Sequence, residues 1–156
     1  MRALIVFDTR HGNTKQIAEA IAEGLGSSWE VIVKQAVGTD LADLNGIDLL
    51  VTGCPVHGWN ISKPMRKLLD RLEASGLDGG MATAFDTKFK HILAGGAAKK
   101  LAGRLGKLGL KMVAEPESFF VAGMEGPLQV GELDRARAFG EQLAARVVAG
   151  LNSEET

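Results

Sequence analysis

Apolar residues recur along this chain with two alternating periods. Ala3-Leu4-Ile5-Val6-Phe7 is a short continuous apolar run, followed by Ile17, Ala18, Ile21 and Leu25 at helical spacing. The same alternation continues to the end. Trp29–Val33, Asp48–Thr52 and Met81–Phe85 read as strands, and Lys111–Val121 as a fifth strand region broken by Pro116. Between them Met65, Leu68, Leu69 and Leu72 share one helix face, as do Ala98, Leu101, Ala102, Leu105 and Leu108. A last helix is expected from about Glu132 to Val148, with Ala136, Phe139, Gly140, Leu143 and Val147 inward and a polar tail from about Asn152. Helix ends are marked as well. The first helix should stop near Gly24-Leu25-Gly26, Thr39 should cap a short helix through Leu44, and Ser62 with Pro64 should open another. Gly103 and Gly106 lie inside a helix, where each costs about 1 kcal/mol against alanine, so close packing is expected there.

Strands alternating with helices imply right-handed crossovers and a parallel sheet covered on both faces. Five strands suit the doubly wound order 2-1-3-4-5. Ligands then sit outside the carboxyl ends of strands 1, 3 and 4. The length of 156 residues fits a single domain over 1–156, and no repeat or linker interrupts it.

Composition narrows the classes. With 46% hydrophobic and 24% charged residues and a net charge of −1, nothing argues for nucleic acid, and no apolar run reaches a membrane span. The chain enters its first strand at once, so no signal peptide is expected. A lone cysteine, Cys54, excludes an internal disulfide and a cysteine-rich zinc site. These features suit a reducing cytoplasm. Cys54 reads as a packed residue rather than a redox thiol.

Three loops carry candidate chemistry. The first, Thr9-Arg10-His11-Gly12-Asn13-Thr14, joins a strand to a helix start. The leading N–H groups of that helix have no partner within it, and its dipole favours an anion, phosphate above all. Gly12 permits a tight turn, while Thr9, Asn13 and Thr14 add polar donors; an ordinary capped turn is the alternative. The spacing is neither the Walker pattern nor G-x-G-x-x-G. The second loop, Gly53 to Asn60, contains Pro55, Val56, His57, Gly58 and Trp59; the third is Asp86-Thr87-Lys88-Phe89.

The first loop resembles the T-x-T/S-G-N-T phosphate loop of flavodoxins, with His11 where that family usually has a hydroxyl residue. The second resembles the family's G-T/S-P-T/V-aromatic loop, and the third occupies the place of the remaining flavin loop. The resemblance covers nearly the whole chain. It implies a short-chain, flavodoxin-like five-stranded sheet, bound FMN, and electron transfer between a reductase and an acceptor. It also implies a ring held between the second and third loops. The family's usual tyrosine is absent, since the chain has no tyrosine. Trp59 or His57 is then the expected stack, with Phe89 a further candidate. Trp59 packed on the following helix and Phe89 packed in the core are the alternatives. Gly58 would let a peptide carbonyl turn toward the flavin N5. Two other functions stay open: an FMN-dependent oxidoreductase acting on a small molecule such as a quinone, and a flavodoxin-shaped interaction module without FMN.

Charge adds one departure. From Thr87 to Ala114 there is no acid, while Lys88, Lys90, Lys99, Lys100, Arg104, Lys107 and Lys111 occur there. This stretch is either a solvated helix face or a positive rim for an acidic partner.

Overall fold

In the structure, a computed structural model that describes residues 1–56, 60–77, 79–90 and 96–154, the alternation along the first strand decides the architecture. β1 (Arg2–Phe7) sends Ala3, Ile5 and Phe7 to one face and Leu4 and Val6 to the other. The first face is covered by α1 (Asn13–Leu25) and α4 (Glu132–Glu154) through Ile17, Ile21, Phe139, Leu143 and Val147. The second is covered by α2 (Lys63–Ser75) and α3 (Ala98–Lys107) through Met65, Leu68, Leu69, Leu72, Leu101 and Leu105. A strand buried on both faces needs apolar residues at every position, which is why β1 reads as a continuous run. Burial of such side chains contributes about 1.5–3 kcal/mol each.

The remaining strands are β2 (Glu30–Gln35), β3 (Leu49–Pro55), β4 (Met81–Phe89), β5 (Lys111–Met112) and β6 (Glu117–Val121). Their order is β2-β1-β3-β4-β5, all parallel, with β6 also pairing β4. The expected order is therefore present, and the fifth strand region is two strands. Met81 pairs with Lys111 and Phe85 with Glu117, so four residues of β4 run beside six of its neighbour. The two extra residues bulge at 113–116, around Pro116. The Thr83 hydroxyl donates to the Ala114 carbonyl at 3.2 Å and satisfies the interrupted ladder.

Both strands that lead to the candidate site run further than their sequence suggests. β3 continues through Gly53, Cys54 and Pro55, and β4 through Asp86, Thr87, Lys88 and Phe89. Their partners explain this. Gly53, Cys54 and Pro55 pair with Phe85, Asp86 and Thr87, and Phe85–Phe89 pair with β6. Val56 donates to Thr87 O, so the missing N–H of Pro55 faces the β1 side. There β1 has ended, its last bond being Asp8 N–H to Gly53 O at 3.0 Å, and no ladder bond is lost. Gly53 is fixed by packing: a Cβ there would lie 2.1 Å from Cζ of Phe85.

Helices differ from expectation in three places. The segment after β2 forms two 3-10 turns, Ala36–Gly38 and Leu41–Leu44, capped by Asp40 with Asp43 rather than by Thr39. The Thr39 hydroxyl instead donates back to Gln35 O. α4 runs to Glu154 because Leu151 still packs on the first core and Lys111 pairs with Glu154. Close glycine packing occurs at Gly24 and Gly140, where α1 meets α4, and nothing lies within 4 Å of a Cβ at Gly103 or Gly106. Gly24 is thus a contact inside α1, and Gly26 is its stop.

Candidate functional site

The first loop, residues Gly53–Val56 at the start of the second, and the third converge at the carboxyl edge of β1, β3 and β4. The chain leaves β1, turns through Thr9 to Gly12, and enters α1 at Asn13. Gly12 takes the N-cap position with φ +87°, a left-handed conformation that glycine adopts without penalty. Its N–H donates to the Thr9 hydroxyl oxygen at 2.9 Å, which closes the turn. Among the described residues no side chain caps the helix. The first-turn N–H groups lack intrahelical acceptors by geometry, so they and the helix dipole form an anion-binding end. Arg10 and His11 are exposed on the outside of this turn.

Asn13 and Thr14 shape the loop from beneath. Both are buried. The Thr14 hydroxyl is 2.8 Å from that of Thr87, which joins the first loop to the third. One of these two hydroxyls donates to the other, which leaves a single O–H proton for a ligand. The Asn13 amide donates to Glu125 O at 3.2 Å. A Cβ at Gly126, with φ +103°, would lie 2.7 Å from Oδ1 of Asn13. The segment after β6 therefore rests on the start of α1, and it is a fourth contributor absent from the sequence reading. The Gly126-Pro127 dipeptide was its available signal, as a turn marker.

In the second segment Pro55 and Val56 are half-buried, and Val56 packs on the core beneath α2. The Val56 N–H to Thr87 O bond, 3.1 Å, fixes the second segment to the third. His57, Gly58 and Trp59 lie outside the described residues.

In the third segment Asp86 is 1% exposed. Its Oδ2 accepts the N–H groups of Ala97 at 2.8 Å and Ala98 at 2.9 Å and so caps α3. Its Oδ1 is buried and has no hydrogen-bond partner among the described residues. Asp86, expected at the cofactor, thus commits one carboxylate oxygen to the start of α3. Phe89 ends β4 at 39% exposure, so the core alternative for it is excluded. It lies on the same face of β4 as the buried Phe85 and Thr87, and is the last residue of the strand.

Cys54 lies under these loops, fully buried beside Ser62. Burial pushes its thiol up to about 12, with the Asp86 and Asp8 charges adding to the rise and Ser62 opposing it. Native protein at pH 8 should therefore give no reaction with a thiol-reactive disulfide dye, and one equivalent after denaturation. Fast reaction in the native state would place the thiol at the surface.

The basic stretch divides. Arg104 pairs with Asp70 at 2.8 Å and Glu73 at 3.4 Å, and Lys111 with Glu154 at 3.7 Å. Those two serve the solvated face. Lys88 and Lys90 stand at the carboxyl end of β4, with Lys90 5.7 Å from the Phe120 ring centroid. Among the described residues, no group of three or more His, Cys, Asp or Glu side chains could hold a metal ion, and no helix is long and apolar enough to cross a membrane.

Known proteins share this fold. A family model described as a flavodoxin domain matches residues 4–85. The flavodoxin of Clostridium saccharobutylicum is 28% identical over 159 residues, covering 94% of this chain and 98% of that protein. Among solved structures, a flavodoxin from the domain Archaea aligns with a TM-score of 0.81 at 25% identity, over 95% of this chain and 99% of the other. The oxidised flavodoxin 1 of Bacillus cereus aligns with a TM-score of 0.79 at 19% identity, over 93% and 98% of the two chains.

Proposed function

Since the chain belongs to the flavodoxin domain family, whose cofactor is FMN, we propose that it binds FMN at the carboxyl edge of its sheet and carries electrons between a reductase and an acceptor protein. One observation carries this reading: the N-terminus of α1, headed by left-handed Gly12 and capped by no side chain, opens at the carboxyl end of β1. The residues present fit the cofactor. The first-turn N–H groups of α1 and the Thr9 hydroxyl proton suit its phosphate. Among the described residues the Oδ1 of Asp86 is a buried acceptor without a partner at the same edge of the sheet.

When bound, FMN supplies the redox chemistry, and the protein orients it and sets its potential. The Thr14–Thr87 and Val56–Thr87 bonds hold the loops to one another. Less reorganisation is then needed when the ligand enters. His57, Gly58 and Trp59 belong to the loop that would meet the ring. No residue needs to act as acid or base in a protein that only relays electrons. A reducing cytoplasm suits the free Cys54 thiol.

The test is the visible spectrum of purified protein with and without FMN. Shifted flavin bands on a protein-bound species are expected. Free-flavin bands at every protein concentration would overturn the reading and favour an interaction module. Steady reduction of a small quinone without any protein partner would move the assignment to an oxidoreductase.

A further inference from the structure

A groove of about 610 Å³ runs between the 3-10 turn Ala36–Gly38 and the first turns of α2. Ala36, Val37 and Pro64 make its apolar part, and Lys63, Lys67 and Arg71 its basic wall. These cations stand four residues apart on one ridge of α2 and are exposed. Asp70 also borders the groove, but Arg104 holds it at 2.8 Å. Among the described residues no carboxylate pairs with Lys63 or Lys67. The Arg71 guanidinium donates to Thr39 O at 3.0 Å, which orients it along the wall. On the opposite wall, in the 3-10 turn, Val37 is 79% exposed.

We propose that this groove docks an acidic segment of a partner protein in extended conformation. The spacing supports it. Successive cations rise about 6 Å along the helix. Alternate residues of an extended strand lie about 6.6 Å apart on one face. A Glu-x-Glu-x-Glu segment therefore presents its carboxylates in step with Lys63, Lys67 and Arg71. The three cations span about 12 Å, more than one phosphate group covers. Among the described residues the lining contains no aromatic ring on which a nucleotide base would stack. An aliphatic side chain of the segment would sit on Val37, across the groove from the basic wall. The inference does not depend on FMN, and its test works on cofactor-free protein.

The experiment is an amide-shift titration with a capped nine-residue peptide that has glutamate at every second position and serine or leucine between. The amides of Ala36–Gly38 and the first two turns of α2 should move along one saturable curve. Replacing Lys63, Lys67 and Arg71 together with glutamine should weaken binding at least tenfold, while a thermal melt confirms that the variant is folded. Val37→Ser should weaken it about threefold with all charges kept. Three outcomes would overturn the proposal. One is shifts spread over Lys99, Lys107 and other lysines outside the groove. Another is equal binding by a peptide whose glutamates are consecutive. The third is tighter binding of a short oligonucleotide at the same amides.

Discussion

Riboflavin should bind at least about a hundredfold more weakly than FMN. The two ligands differ only in the phosphate, so their ratio reads the first loop alone. At least two first-turn N–H groups of α1 are free of intrahelical acceptors. A hydrogen bond to a charged group is worth about 1.5–3 kcal/mol. Two of them give at least about 3 kcal/mol, and each 1.4 kcal/mol is tenfold in affinity. The helix dipole adds to this and is screened by salt, so the ratio should shrink as ionic strength rises. Gly12→Val tests the geometry. A Cβ at Gly12 meets nothing within 4 Å, so the variant acts through φ +87° and not through a clash. A β-branched residue is penalised there, the loop should leave its present conformation, and the ratio should fall below about tenfold. Fluorescence-quenching titrations of both flavins measure it. Equal affinities in the unmodified protein would mean that Thr9–Thr14 holds no phosphate.

What the sequence revealed of this protein follows from which interactions are local. The helix faces and the strand run Ala3–Phe7 were legible because burial imposes a period on neighbouring residues. The order of strands was one that five strands with right-handed crossovers suit, and the location of the site followed from that order. The ends of β3 and β4 were not legible. Gly53, Pro55, Asp86 and Thr87 have the composition of loops, and they become strand because each meets the other chain segment in register. The same limit hid the duties of Asp86 and Asn13. Their partners, Ala97 and Ala98 for one and Glu125 for the other, are 11, 12 and 112 residues away. Gly103 and Gly106 were read as packing glycines because a helix interior disfavours glycine, yet that penalty is equally consistent with a weak, solvated position. Only the facing helix distinguishes the two, and it faces Gly24 and Gly140.

That distinction has the largest consequence for stability. Gly140→Ala should destabilise the protein by about 3 kcal/mol, at the upper end of what overpacking costs. Its Cβ would lie 2.2 Å from the Ile21 carbonyl oxygen and 2.9 Å from Cα of Gly24. Both neighbours are backbone, so no side chain can turn aside, and α1 and α4 must separate. Separation loosens Ile17, Ile21, Phe139 and Leu143, which fill the core beneath them. At this chain length the loss corresponds to a melting point lower by roughly 10 °C. Gly103→Ala should do the opposite. It has open space and sits in a helix, so stability should rise by up to about 1 kcal/mol. The site should barely notice either change. Gly24 is 12 residues from Gly12, about 16–18 Å along the helix, so FMN affinity in the folded protein should stay within about threefold. Urea unfolding of the two variants beside the unmodified chain gives both signs in one experiment. A neutral Gly140→Ala would show that α1 and α4 approach less closely than their backbones do here.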